Sequence, residues 1–287
     1  MKLIRFGDSG KEKPGICMNG VNYDVSNLIA DYDQLFFAND GIDRLARIIS
    51  QNESKLPFIP KGVRLGCPVT NPSKIVCIGL NYAKHAKETS APIPEEPILF
   101  MKSTTAITGP NDNIMIPKNS LKTDWEVELA VVMGKKASYV SESEAMHYVA
   151  GYCLHNDVSE REFQLERGGT WDKGKGCDTF APLGPWLVTK DEIKDPHVLR
   201  LWLKVNDQMM QDGNTNDLIF NIPQLISYLT QFMTLLPGDI ISTGTPAGVG
   251  LGFNPPVFLK DGDIVELGID GIGTSRQIVT AYQKGFE

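Results

Sequence analysis

Histidine and cysteine are scarce in this sequence, with four and five of them in 287 residues. The cysteines, Cys17, Cys67, Cys77, Cys153 and Cys177, are odd in number and form no C-x-x-C pair. That spacing argues against a disulfide framework and a structural zinc site, and fits reduced thiols in a cytoplasmic protein. No run of about 18 apolar residues is present to span a bilayer. The opening "MKLIRFGDSGKEK" lacks the apolar stretch that follows the charges of a signal peptide. Basic residues are in deficit: 28 Lys and Arg stand against 35 Asp and Glu, a net charge of −7. Neither a nucleic-acid partner nor an anionic membrane surface suits that balance. There is no G-x-G-x-x-G and no G-K-[ST], so a nucleotide cofactor is not expected.

Apolar residues make up 41 % and charged residues 22 %, the profile of a globular protein with a core. The length suits one large domain, or a large and a small one. Residues 1–65 form the expected small N-terminal unit. "MKLIRF" and "GICMNGVNYDVS" predict short strands about turns at Gly10 and Asn19-Gly20. "GIDRLARIISQ" has helical spacing at Ile42, Leu45, Ile48 and Ile49, and "KLPFIPKGVRLGCPVTNP" predicts a linker. Residues 66–287 form the larger unit. In it "KIVCIGL", "ILFMKST" and "VELAVVMG" predict strands. "NYAKHAKET" predicts a helix, and so does "SESEAMHYVAGYC" after a serine cap. "PHVLRLWLKVNDQMMQD" predicts strand with a turn at Asn206-Asp207, and "NIPQLISYLTQFMTL" an amphipathic helix from Asn221 with Pro223 in its first turn. The tail returns to strands and tight glycine turns. Regular βαβα alternation is missing, so the expected class is strand-dominated α+β.

The stretch "TDWEVELAVV" alternates Asp124, Glu126 and Glu128 with Trp125, Val127, Leu129 and Val131. Period two predicts a strand with three acids on one face, spaced roughly 7 Å apart by the rise per residue. Two arrangements tolerate this: a solvated face, or a shared divalent cation. Asp157, after the apolar "AMHYVAGYCLHN", supplies a third ligand candidate beside Glu126 and Glu128. Carboxylates without a Cys/His set select Mg²⁺, Mn²⁺ or Ca²⁺ over zinc. His85 and Glu88 are three apart in "YAKHAKE", on one face of a helix, where a carboxylate orients an imidazole as a general base or simply meets it on the surface. "STGTPAGVG" places Thr245 in a turn whose N–H groups and hydroxyl suit a carboxylate, or in an ordinary strand-end turn.

In order, "GLNYAKHAKE", "EPILFMKS", "DWEVELAVVMG", "HNDVSEREFQ", "KGKGCDTFAPLGPW" and "PGDIISTGTPAGVG" resemble the fumarylacetoacetate hydrolase family over about residues 70–280. The resemblance implies a mixed β-roll catalytic domain with a small N-terminal domain, and a homodimer. It implies metal ligands at Glu126, Glu128 and Asp157, holding Mg²⁺, sometimes Mn²⁺ or Ca²⁺. It implies a His85–Glu88 dyad on a lid around residues 83–95. It places Lys175, seven residues before Pro182, beside the developing enolate, with Lys173 as a near neighbour. Arg161 and Gln164 match substrate-contacting positions, and Lys102 is a further substrate candidate. Asp124 has no ligand counterpart and is expected at the surface or behind the ligands. Trp171 and Trp186 are expected in core or lid packing. The implied activity is metal-dependent hydrolysis of a 2,4-dioxo acid to pyruvate and an acid. "ERGGTWDKGKGCDTFAPLGPWLVT" is similar to hydrolases of 2,4-diketo-3-deoxy-rhamnonate or fuconate and to members labelled ureidoglycolate lyase. Oxaloacetate decarboxylase and 2-hydroxyhepta-2,4-diene-1,7-dioate isomerase or decarboxylase are the alternatives within the family. A catalytically silent metal- or ligand-binding scaffold is the alternative outside it.

Overall fold

The seven residues Val127–Met133 are all buried, and the molecule is organised around the strand they form. It pairs antiparallel with Val149–Asn156 on one side and with Ile240–Ser242 on the other. Ile75–Gly79 runs parallel to Ile240–Ser242, and Ile98–Lys102 closes that edge. In the opposite direction the sheet continues through Leu187–Thr189, Lys2–Phe6, Lys13–Met18 and Val21–Asp24. A second, five-stranded sheet holds Gln208–Asn214, Arg200–Val205, Ile264–Ile269, Gly273–Thr280 and Ile114–Met115. One apolar core joins them, with Trp125, Val127, Leu129, Leu203 and Leu267 all inaccessible to solvent. The protein is known from a computed structural model that describes residues 1–52, 56–89 and 92–283. The class is strand-dominated α+β, as the sequence implies. Among the described residues no helix is long and apolar enough to cross a membrane.

Local signals explain much of this. Asn19-Gly20 and Asn206-Asp207 both adopt left-handed backbone, which two-residue hairpin turns require. Asn221 and Gln224 cap the helix Ile222–Phe232 reciprocally, and Pro223 sits in its first turn. The helix Gly41–Asn52 lies where the apolar spacing puts it.

One expectation fails. "SESEAMHYVAGYC" is helical only over Glu142–Ala145, followed by the 3-10 turn Met146–Tyr148. "VAGYC" opens the strand Val149–Asn156, buried at all eight positions. A strand covered on both faces has no period-two pattern, so its sequence reads like a buried helix. The N-terminal segment extends the main sheet: Lys2 faces Val188, and Leu65 and Gly66 pair with Phe6 and Arg5. Of the expected lid at 83–95, the helix Ala83–Glu88 is present, while residues 90 and 91 lie outside the described residues.

Candidate active site

Glu126 sits just before the central strand, Glu128 on it, and Asp157 just past the end of its neighbour. Val127 faces Asn156 across the pair, and the Asp157 N–H donates to Glu126 O at 2.9 Å. That register brings one carboxylate oxygen from each of Glu126, Glu128 and Asp157 within 4.8 Å of the others, all three residues buried. The acidic face is therefore not solvated.

Lysines and an arginine answer part of the charge. Lys175 Nζ lies 2.7 Å from Glu126 Oε2 and 2.9 Å from Asp157 Oδ2. Lys102 Nζ lies 2.5 Å from Asp157 Oδ1 and donates to Val158 O. Arg161 Nη2 reaches Glu126 Oε1 at 2.7 Å, and its Nε reaches Asp124 Oδ2 at 2.8 Å. Burial alone would raise the Asp157 carboxyl, but Lys102 and Lys175 hold it below the usual carboxylate range. Burial would lower Lys175, and Asp157 and Glu126 outweigh it and raise the ammonium. Glu128 has no cationic partner among the described residues. Its burial, with Asp157 and Glu126 beside it, pushes its carboxyl well up. Four carboxylates, counting Asp124, thus meet three cations. The excess negative charge and the all-oxygen donor set fit a divalent cation of the Mg²⁺ or Mn²⁺ kind.

A cavity of about 190 Å³ opens beside these groups. His85, Glu126, Glu128, Arg161, Gln164, Lys175 and Thr245 are on its lining. His85 Nδ1 lies 3.2 Å from Glu88 Oε2, and the Glu88 carboxylate accepts from Gly248 N–H at 3.0 and 3.1 Å. Gln164 Oε1 accepts from Arg161 Nη1 at 3.0 Å. The Thr245 hydroxyl donates to Val127 O and accepts from Gln211, so its hydrogen is already spent. Lys102 stands behind Asp157 and is not on the cavity wall. Trp171 lines the cavity and packs on Phe100 at 5.4 Å between ring centroids, whereas Trp186 lies under Lys2 near the N-terminus.

Asp124 corrects one half of its expectation. It is fully buried rather than superficial. Besides Arg161, it accepts from the N–H groups of Trp125, Gly250 and Leu251 at 2.8, 2.7 and 3.0 Å. Two further groups went unread. His155 is buried, and that burial outweighs the nearby Asp157 carboxylate and lowers its imidazole to about 3. Ser242 bridges it to Glu128. Their sequence signals were weak: "LHND" ends an apolar stretch whose start reads as helix, and "IISTG" reads as strand.

The family described as fumarylacetoacetate (FAA) hydrolase C-terminal matches residues 74–280. The chain belongs to the fumarylacetoacetate hydrolase family. This family member is an enzyme. It is 53 % identical over 279 residues to a Burkholderia ambifaria protein named "Putative hydrolase", covering 96 % of this chain and 98 % of the relative. Its structure is similar to maleylpyruvate hydrolase from Sphingobium sp. SYK-6, solved with manganese(II) and pyruvate. That match has TM-score 0.82 and 31 % identity, over 99 % of this chain and all of the other. It is similar also to 2-hydroxyhepta-2,4-diene-1,7-dioate isomerase from Mycobacterium marinum, with TM-score 0.75 and 33 % identity over 99 % of each chain.

Proposed function

We propose that the protein hydrolyses a carbon–carbon bond in an acylpyruvate, a 2,4-dioxo acid, with Mg²⁺ or Mn²⁺ at Glu126, Glu128 and Asp157. The observation that carries this reading is the buried carboxylate set, short of positive charge, sharing one cavity with a His–Glu pair. A bound divalent cation supplies Lewis acidity to the 2-oxo group and leaves the site net positive, as a substrate carboxylate needs. The maleylpyruvate hydrolase crystallised with manganese(II) and pyruvate supports that reading.

Glu88 engages His85 Nδ1, so Nε2 is the nitrogen that takes a proton from water. The hydroxide adds to the 4-carbonyl carbon. The C3–C4 bond then breaks, and its electron pair passes to C3 and the 2-oxo group as pyruvate enolate. Lys175, fixed between Glu126 and Asp157, offers a preorganised positive charge as that anion develops. Return of the proton to C3 gives pyruvate, and the acyl half leaves as a carboxylic acid. Arg161 and Gln164, bonded to each other on the cavity wall, orient the substrate.

Farther along, Ile78, Leu80, Phe100, Leu165, Trp171 and Leu251 form the wall. The hydroxyl hydrogens of Thr245 and Thr89 are already given to backbone carbonyls. A hydroxylated chain would meet a mostly apolar surface with few free donors, whereas an alkyl or aryl acyl group fits it. This favours acylpyruvates over diketo sugar acids.

The test is pyruvate release by metal-stripped protein, with and without Mg²⁺, from 2,4-dioxopentanoate, its longer homologues and a 2,4-dioxo-3-deoxy sugar acid. We expect metal-dependent release, with kcat/KM rising about three- to fourfold per added methylene. His85→Ala should lower hydrolysis by ~10²- to 10⁴-fold. No pyruvate from any 2,4-dioxo acid would sink the reading. A preference for the sugar acid would overturn only the acyl assignment. Similarity to an isomerase favours proton transfer within a 2-hydroxydienedioate as the second reading, and product analysis on that substrate separates the two.

A further inference from the structure

Glu128 is held by a chain of hydrogen bonds that ends on a histidine. Its Oε2 accepts from Gly244 N–H at 2.9 Å and from the Ser242 hydroxyl. Ser242 Oγ lies 2.6 Å from His155 Nδ1. All three side chains are buried to 1 % exposure or less. The strands place them side by side. His155 faces Glu128 across one strand pair, and Ser242 faces Ala130 across the other.

The directions of these bonds follow from the donors available. Gly244 N–H already points at Oε2, so Oε2 is an acceptor even if Oε1 carries a proton. Ser242 has one hydrogen, and Glu128 takes it. Ser242 Oγ must then accept from His155, so Nδ1 carries the imidazole hydrogen. His155 Nε2 is buried without a partner among the described residues. Among the described residues the ring is thus held by one hydrogen bond, the one to Ser242. Were that bond reversed, the Ser242 hydrogen would point at the ring and Oε2 would lose a donor.

We propose that His155 is a positioning residue for the metal centre. By donating to Ser242 it aims the Ser242 hydroxyl at Glu128 Oε2, which fixes the carboxylate plane and presents Oε1 to the cation. Groups that hold a metal ligand in orientation in this way commonly account for about ten- to a hundredfold in affinity. This rests on the metal site proposed above.

The experiment is Mn²⁺ titration of metal-free protein by calorimetry, with thermal melts of each metal-free variant as a folding check. His155→Leu removes the donor and should weaken Mn²⁺ binding by about ten- to a hundredfold. His155→Asn keeps an N–H donor near the Nδ1 position and should bind within about threefold of wild type. Ser242→Ala breaks the same chain with the imidazole in place and should match His155→Leu. The double variant should be no worse than Ser242→Ala alone, because both changes remove one interaction. Wild-type affinity in a folded His155→Leu, or in Ser242→Ala, overturns the proposal. Failure of His155→Asn to rescue, in a folded protein, does so too. If His155→Leu does not fold, Ser242→Ala and His155→Asn decide alone. Absence of Mn²⁺ binding in the wild type would instead overturn the metal centre itself, and the positioning role with it.

Discussion

Asp124 shows how much one buried carboxylate can organise. Four donors converge on it: three backbone N–H groups and the Arg161 Nε. Asp124→Asn keeps the shape but turns one acceptor into a donor facing other donors. Each donor left buried and unpaired costs about 1–3 kcal/mol. We expect a fall in stability of that order in urea, and a KM increase larger than the kcat loss because Arg161 loses its anchor. Unchanged KM in the variant would separate Asp124 from substrate orientation. At this scale the sequence was partly legible. The alternation in 123–132 put three acids on one face, and Asp157 emerged as their companion. What Asp124 does was not legible, because its partners Arg161, Gly250 and Leu251 lie far along the chain. Ser242 and His155 were hidden for the same reason: a strand residue's role is set by strands paired from elsewhere.

At the scale of elements, the helix Ala83–Glu88 meets the loop that follows the strand Ile240–Ser242. Glu88 is seated on Gly248 N–H, and a Cβ on Gly252 would come within 2.6 Å of Glu88 Cδ. Gly252→Ala should therefore push the Glu88 carboxylate off its seat and turn His85 with it. We expect kcat to fall by roughly tenfold to a hundredfold, as a misplacement near 1 Å costs. Mn²⁺ affinity should stay at the wild-type value, since no metal ligand moves. Loss of metal binding in that variant would show that the helix and the carboxylate set are not separable. The helix was visible in "YAKHAKE", and the strand Val127–Met133 in its apolar run. The strand Val149–Asn156 was not, because burial on both faces erases the alternation that marks a strand.

At the scale of the whole molecule, the N-terminal segment is tied to the rest by more than sheet pairing. Arg64 bonds Asp112 at 2.8 and 2.6 Å, Glu12 at 2.8 Å and Gly7 O at 3.1 Å. Burial would raise the Asp112 carboxyl, but Arg64 and Thr108 hold it below the usual range. A carboxyl lowered on folding stabilises the fold above its unfolded pKa, about 3.9. That stability is lost as pH falls through the lower folded value. Asp112→Asn should thus be less stable than wild type at neutral pH, and the gap should close on acidification. Denaturant melts between pH 7 and pH 3 would measure it, and a gap constant with pH would contradict it. The fold class was legible from the order of strands and turns. The pairing of Lys2–Phe6 with Leu187–Thr189 was not, since no local pattern records a register between such distant segments.

The loop from Gly244 to Leu251 gives its N–H groups to three different carboxylates. Gly244 serves Glu128, Gly248 serves Glu88, and Gly250 and Leu251 serve Asp124. All three acids precede residue 130, so during synthesis they leave the ribosome well before the loop that satisfies them. A nascent chain that had reached residue 240 would carry the acids and both lysines but none of these amides. Until that loop emerges, the three carboxylates lack four of their backbone donors. They are satisfied only once residues 244–251 arrive to meet charges already in place.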